Sequence, residues 1–285
     1  MANNVTATTQ LVGLIGSPVQ ASLSPTLHNA VFHMSEKDAI YLAFDVTEES
    51  LENALKGLGA LGAQGCNVTV PLKQSVCQYL DIIDTSAQLM QSVNTVCFKD
   101  GYSYGYNTDG LSFTKTLFDA GISLESSCIA VADIGAEGPA YIVQAATEGA
   151  QEILVLTSPD NYPKAVSFYD LISQETHCPI SVYDLSNSTL CIELLTRANV
   201  FCNATRIGAE PLINESPIPL EALHKDLLVL DTIYNPRDTK LLQQAQIKGC
   251  RTIGGLTLLL NQAALAEELW FGIELPKKEI EKLLF

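Results

Sequence analysis

The chain has 285 residues, 47% of them hydrophobic, with a formal net charge of −16 and four histidines. That length supplies core for one large domain or, better, two. The acidic balance excludes the basic footprint of a nucleic-acid binder and the Lys/Arg cluster that anionic lipid requires. No apolar run approaches the roughly 18 residues of a membrane span. The first ten residues are polar and uncharged, without the basic start and apolar core of a signal peptide. The eight cysteines form no C-x-x-C pair, so buried free thiols in a reducing cytoplasm are expected, rather than a disulfide framework or a metal site.

Residues 11–15 are a short β-like start, ended by Gly16-Ser17-Pro18. Ser24-Pro25 opens a helix, with Ser24 as its expected N-cap and Pro25 at the first helical position. A strand over 41–46 precedes a helix over 47–61 that carries Leu51, Leu55 and Leu58 on one face. A strand at 66–70 leads into a helix expected to begin at Lys73 and run through 82. Residues 93–98 and 102–106 pair as a hairpin around Lys99-Asp100-Gly101.

The texture changes after Gly110. Strands are expected at 128–132, 153–156, 180–183, 200–203, 227–231 and 251–253, with helices at 111–120, 140–147, 165–173, 190–198 and 239–248 between them. Such alternation builds βαβ units and a mainly parallel sheet. A last apolar helix over 256–270 is expected to return to the first domain. The outcome is an α/β protein of two domains, 1–110 with 256–285 and 111–255, with a cleft between them. Ligands of such folds sit outside the carboxyl ends of the strands.

Two polar runs follow β-like stretches in the first domain, Gly65-Cys66-Asn67-Val68-Thr69-Val70-Pro71-Leu72-Lys73 and Gly105-Tyr106-Asn107-Thr108-Asp109-Gly110. A Lys and an Asp delivered to one cleft are equipment for moving a proton to or from a hydroxyl. In the second domain the turn after 128–132 reads Asp133-Ile134-Gly135-Ala136-Glu137-Gly138. This is the spacing of G-x-G-x-x-G with Asp in the place of the first glycine. Gly135 is where backbone would approach a pyrophosphate, and Gly138 is where helix and strand pack closely. Asp133 and Glu137 place negative charge where phosphate is expected. At roughly 6 Å and an effective dielectric near 20, each such pair costs about 3 kcal/mol, on the order of a hundredfold in affinity. A βα turn that binds nothing is the plain alternative. The next strand ends in Thr157-Ser158-Pro159-Asp160, with no Arg or Lys for a 2′-phosphate and with Asp160 able to accept from a ribose hydroxyl. If a nicotinamide binds, NAD is favoured over NADP.

Taken together, these residues resemble the shikimate/quinate dehydrogenase family over nearly the whole chain. Ser22-Leu23-Ser24-Pro25 with His28-Asn29 is similar to the family's opening substrate motif, and Asn67-Val68-Thr69-Val70-Pro71-Leu72-Lys73 to its N-V-T-x-P-x-K. Val93-Asn94-Thr95 and Asn107-Thr108-Asp109-Gly110 resemble its two N-T motifs. Asn203-Ala204-Thr205 with Gly208, then Asp231 with Tyr234-Asn235-Pro236, resemble its later segments, and Gln262-Ala263-Ala264 its C-terminal helix. Departures concentrate on the nicotinamide side: the G-A-G-G-A loop, the N-R-T segment at Thr157-Ser158-Pro159, and two methionines replaced by Ala209 and Leu258. On the substrate side, Ala21 stands where a His is common.

The resemblance implies an α/β substrate domain and a Rossmann-like doubly wound domain. It implies hydride transfer between NAD or NADP and a ring hydroxyl of shikimate or quinate, by a monomer or homodimer. Lys73 and Asp109 would be the acid/base pair. Ser22 and Ser24 would hold the ring-acid carboxylate, and Thr69, Asn94 and Gln262 the ring hydroxyls, with Tyr234 at the substrate's edge. Gly135, Gly138, Asp160, Thr205 and Gly255 would line the cofactor. Bland readings stand beside these: capping for Ser24, turn formation for Asn94, a half-buried core position for Tyr234, a surface ion pair for Lys73 and Asp109. A second functional class is a family member that binds the acid but has lost its nicotinamide.

Overall fold

The computed structural model describes residues 5–133 and 137–284. In chain order they form β1 (Gln10–Gly16), α1 (Ser24–Met34), β2 (Ala39–Asp45), α2 (Leu51–Ala60), β3 (Gly65–Val68), β4 (Ile82–Ile83), α3 (Thr85–Leu89), β5 (Thr95–Lys99), β6 (Tyr102–Tyr106) and α4 (Thr108–Asp119). There follow β7 (Cys128–Ala132), α5 (Gly138–Thr147), β8 (Glu152–Thr157), α6 (Tyr162–Thr176), β9 (Ile180–Asp184), α7 (Ser188–Leu195), β10 (Val200–Asn203), β11 (Leu228–Asp231), α8 (Lys240–Ile247), β12 (Arg251–Ile253), α9 (Gly255–Phe271) and α10 (Lys277–Leu284). The chain divides into two compact units, Met1–Thr108 with Gln262–Phe285, and Asp109–Asn261. The divisions fall inside α4 and α9. Among the described residues no helix is long and apolar enough to cross a membrane.

The first unit is built on a six-stranded mixed sheet in the order β2-β1-β3-β5-β6-β4. β1 pairs in parallel with β2 and β3, whereas β5 runs antiparallel to β3 and β6. The period of two along β1 sends Val12 and Leu14 to one face and Ile15 to the other. Ile15 joins Leu51, Leu55 and Leu58 of α2, the helix face expected from sequence. Val12 and Leu14 meet Phe32, Tyr41 and Trp270. The hairpin turns on Asp100 and Gly101, both at positive φ (54° and 83°). Trp270 donates from Nε1 to Val96 O (3.0 Å), and a Cβ on Gly65 would lie 2.3 Å from that Nε1. Glycine at 65 is what admits the indole.

Residues 73–82 are not the expected helix. They form a turn, a 3-10 segment at Ser75–Tyr79, and β4. The cause lies in a distant segment: Lys73 O accepts from Val93 N (2.8 Å), and Cys77 N goes instead to Gln74 O (3.2 Å). The single α-type bond from Val76 N to Leu72 O (2.9 Å) is not continued into a ladder. Ser24 is likewise not an N-cap. It is the first helical residue of α1, and it is Ser22 whose hydroxyl accepts from Ser24 N (3.2 Å).

The second unit is a six-stranded, wholly parallel sheet in the order β12-β11-β10-β7-β8-β9. The order reverses between β7 and β10, which makes this a doubly wound fold with its switch point there. Ile129 through Ala132 and Ile153 through Leu156 are fully buried, as strands covered on both faces require. A Cβ on Gly110 would lie 2.7 Å from Ala140 O, so α4 and α5 cross with their backbones nearly touching. Seven of the eight cysteines are buried free thiols, and Cys77 is half-buried.

Candidate active site

In the first unit the ends of β1 and β3 are tied together. Thr69 N donates to Ile15 O (2.9 Å) and Ser17 N to Val70 O (3.1 Å). A Cβ on Gly16 would sit 2.4 Å from Thr69 Cγ2, so the two strand ends close up around a residue without a side chain. Beyond them the turn reaches Lys73, which is half-buried. Val68 N donates to Asn94 O (2.8 Å) and Val93 N to Lys73 O (2.8 Å). Thr69, Lys73 and Asn94 are thereby held in one backbone-bonded frame.

Asn94 is 3% exposed. Its Oδ1 accepts from Thr108 N (2.8 Å), Thr108 Oγ1 (3.1 Å) and Thr95 Oγ1 (3.0 Å). It serves as the cap of α4, so its Nδ2 is the group left to donate. Under this frame Tyr41 donates to Asn67 Oδ1 (2.7 Å), and Asn67 Nδ2 donates to Asn94 O (3.2 Å) and Thr95 Oγ1 (3.0 Å). Burial pushes the Tyr41 phenol up. Its ring stacks on His28 at 4.4 Å, and His28 Nδ1 bonds Glu267 Oε1 (2.5 Å). Burial pushes the Glu267 carboxyl up, against the His28 bond that favours its charged form. Ser22, Ser24, Thr69 and Gln262 are all half-buried and belong to this unit.

Asp109 falls in the second unit, on the first turn of α4. Its carbonyl accepts from Ser112 Oγ (2.7 Å). Its charge contributes to raising the buried Tyr141 phenol, after burial itself and the charge of Glu137. Tyr141 stacks on Phe113 at 5.1 Å and donates to Glu137 Oε2 (3.1 Å).

A cavity of about 460 Å³ opens past the carboxyl ends of β10 and β11, lined among others by Glu137, Thr205, Arg206, Ala209, Tyr234 and Asn235. Asp231, fully buried, ties its walls together. Oδ1 accepts from Asn203 Nδ2 (3.0 Å) and Ile233 N (3.1 Å), and Oδ2 from Thr239 Oγ1 (2.6 Å). Asn203 Oδ1 in turn accepts from Thr205 Oγ1 (2.7 Å). Burial pushes Asp231 up to about 6 in spite of these three bonds. Gly255 starts α9 against the same loop; a Cβ there would lie 2.0 Å from Thr232 O. Tyr234 is 43% exposed and lies with Thr205 on this cavity.

Of the other residues singled out for a nucleotide, Gly138 opens α5, Asp160 is exposed after β8, and Gly135 lies outside the described residues. Sequence sets both carboxylates of the turn against phosphate, but the structure turns Asp133 inward. Its carboxylate accepts from Tyr169 OH (2.6 Å), and Asp133 is 8% exposed. Sequence reasoning assigned no role to Tyr41, Asn67, Arg206 or Asp231. Asn67 and Asp231 stand inside recognised motifs, but their buried partners come from distant segments. Arg206 is exposed and lines the cavity beside Thr205.

A dinucleotide fits the second unit. The cavity lies at strand carboxyl ends next to the switch point, a glycine opens α5, and Thr205 and Arg206 line the space together with Glu137, whose carboxylate accepts from Tyr141. Comparison with known proteins agrees. The shikimate dehydrogenase substrate binding domain matches residues 14–96, and the shikimate 5'-dehydrogenase C-terminal domain matches 255–285. A quinate/shikimate dehydrogenase of Escherichia coli (strain SMS-3-5 / SECEC) is 36% identical over 283 residues, covering 99% of this chain and 98% of its own. The crystal structure of shikimate 5-dehydrogenase from Listeria monocytogenes in complex with shikimate and NAD superposes with a TM-score of 0.95 at 33% identity, covering 100% of this chain and 99% of that one. The shikimate 5-dehydrogenase from Thermus thermophilus, in complex with NADP(H) and shikimate, gives 0.78 at 28% identity over 96% of this chain and 97% of its own. With a full-length relative above a third identical and the same two-unit frame, the chain belongs to the shikimate/quinate dehydrogenase family.

Proposed function

We propose that this protein is an NAD(P)-dependent oxidoreductase that moves a hydride between a nicotinamide and a ring hydroxyl of shikimate or quinate. The observation that carries this is the frame in which Lys73 O and Asn94 O each accept a backbone bond from the opposite segment. It fixes the backbones from which an ammonium and a carboxamide extend, as orientation of a polyol requires. A family member without a nicotinamide is not favoured: full-length relatives are dehydrogenases by name, and the turn's first carboxylate is internal.

Lys73 takes the proton of the reacting hydroxyl during oxidation and returns it during reduction, and Asp109 shares that hydroxyl. Ser22 and Ser24 donate to the ring carboxylate. Thr69, the Nδ2 of Asn94, and Gln262 orient the remaining hydroxyls, with Tyr234 at the edge. When bound, the nicotinamide supplies the hydride acceptor. Thr205, Gly138, Gly135 and Gly255 hold it, and Arg206 adds a cation for phosphate. The run Thr157-Ser158-Pro159-Asp160 holds no cation for a 2′-phosphate and offers Asp160 to a ribose hydroxyl, which favours NAD.

The test is the gain of absorbance at the reduced-nicotinamide band with NAD or NADP and each acid. A signal with at least one pairing, larger with NAD and formed at least about a hundredfold more slowly by Lys73→Ala, is expected. Silence with every pairing contradicts the assignment.

A further inference from the structure

The residue after β7 occupies the first-glycine place of the dinucleotide fingerprint, and its surroundings have been rebuilt. Asp133 continues the sheet for one more residue: its N–H donates to Leu156 O (2.9 Å), and its carbonyl accepts from Thr157 Oγ1 (2.7 Å). Its φ is not among the positive values of the chain, so the backbone here does not call for glycine. The side chain folds back toward α5 and α6. Oδ2 accepts from the phenol of Tyr169, which is 1% exposed and has Phe168 edge-on at 5.1 Å. Oδ1 sits 2.3 Å from where a Cβ on Gly138 would be, with Cγ at 2.6 Å. No residue but glycine leaves room for that carboxylate at the first position of α5. A negative group beside a helix N-terminus is also electrostatically favourable.

The fingerprint's third glycine, Gly138, therefore makes the room that the side chain at its first position fills. We propose that Asp133, clasped by Tyr169 and seated over Gly138, is a positioning residue that joins β7, α5 and α6 and so sets the junction on which the dinucleotide binds. The clasp does through a buried hydrogen bond what a small first residue does by its size. This rests on the nucleotide-binding reading of the second unit, and it reverses a simple expectation: restoring the family glycine damages the site instead of repairing it.

Full-length wild type, Asp133→Gly, Asp133→Asn, Tyr169→Phe and the Asp133→Gly/Tyr169→Phe double variant are compared in two ways. Hydrogen exchange without cofactor follows peptides spanning 133–142. Titration calorimetry measures NAD and, separately, shikimate. Asp133→Gly and Tyr169→Phe should each speed exchange in those peptides, with the double variant no faster than Asp133→Gly alone. Both should weaken NAD binding at least fivefold while shikimate stays within twofold. Asp133→Asn, which keeps an acceptor for Tyr169, should stay within twofold for both ligands. Tighter or equal NAD binding by Asp133→Gly, or unchanged exchange in both single variants, overturns the clasp. Should Asp133→Gly fail to fold, Tyr169→Phe and Asp133→Asn carry the same comparison. If wild type binds neither NAD nor NADP, the proposed function falls, and the exchange data alone still decide whether the clasp holds the junction.

Discussion

Lys73 and Asn94 share a frame but differ in what they hold. The Lys73 side chain is half-buried at the end of a turn whose backbone bonds do not involve it. Lys73→Ala should lower kcat/KM by roughly 10² to 10⁴, the usual range for a positioned acid or base, with the melting temperature little changed. Asn94 instead caps α4 with an oxygen that takes three bonds inside the protein. Asn94→Ala leaves buried donors unmatched, so chemical denaturation should show a loss of about 1–3 kcal/mol in addition to weaker substrate binding. Gln262, half-buried on α9, is predicted to lose affinity without losing stability. An equal stability loss in Gln262→Ala and Asn94→Ala would contradict that division of roles.

Between elements, α9 packs closely on the sheet of the first unit at Gly65. A Cβ there would lie 2.1 Å from Val96 O as well as against the Trp270 indole. Gly65→Ala should cost about 1–3 kcal/mol by overpacking, and urea titration gives the number directly. These elements were largely legible in sequence. The short apolar run Cys128–Ala132 declares itself by its length and bounding turn and the leucine stripe of α2 by its period, and the strand alternation after Gly110 gives the parallel sheet. Illegible were features whose cause lies elsewhere in the chain. The helix expected from Lys73 fails because Val93 takes its carbonyl. The turn at Asp133 reads as damaged because the partner that turns its carboxylate inward, Tyr169, lies on another helix. In the site, residue types with chemistry were legible, while the Tyr41–Asn67 and Asp231 networks behind them were not.

For the whole molecule, the acid groups set the response to pH. Asp231 is pushed up to about 6 from a usual 3.8, so the native state binds its proton more tightly than the unfolded state. Its stabilising contribution is complete below about pH 4 and is lost as pH rises through about 6, roughly 3 kcal/mol over that window. Glu267 shifts the same way. Exposed Asp38 and Asp81 are lowered by hydroxyl bonds from Thr9 and Ser103, and they act oppositely, losing their contribution as pH falls below the usual carboxylate range. Stability should therefore rise from pH 7 toward pH 5, and the rise should shrink in Asp231→Asn; an equal rise in that variant would count against Asp231 as its source. Activity is a second property of the whole molecule, hydride transfer between a nicotinamide and a ring hydroxyl of shikimate or quinate. The most direct measurement is transfer of label from shikimate deuterated at its ring carbinol carbons, with NAD and NADP tried in turn. The account predicts reduced nicotinamide carrying one deuterium, formed by Lys73→Ala at least about a hundredfold more slowly than by wild type; reduced nicotinamide without label, or none with either cofactor, would contradict it.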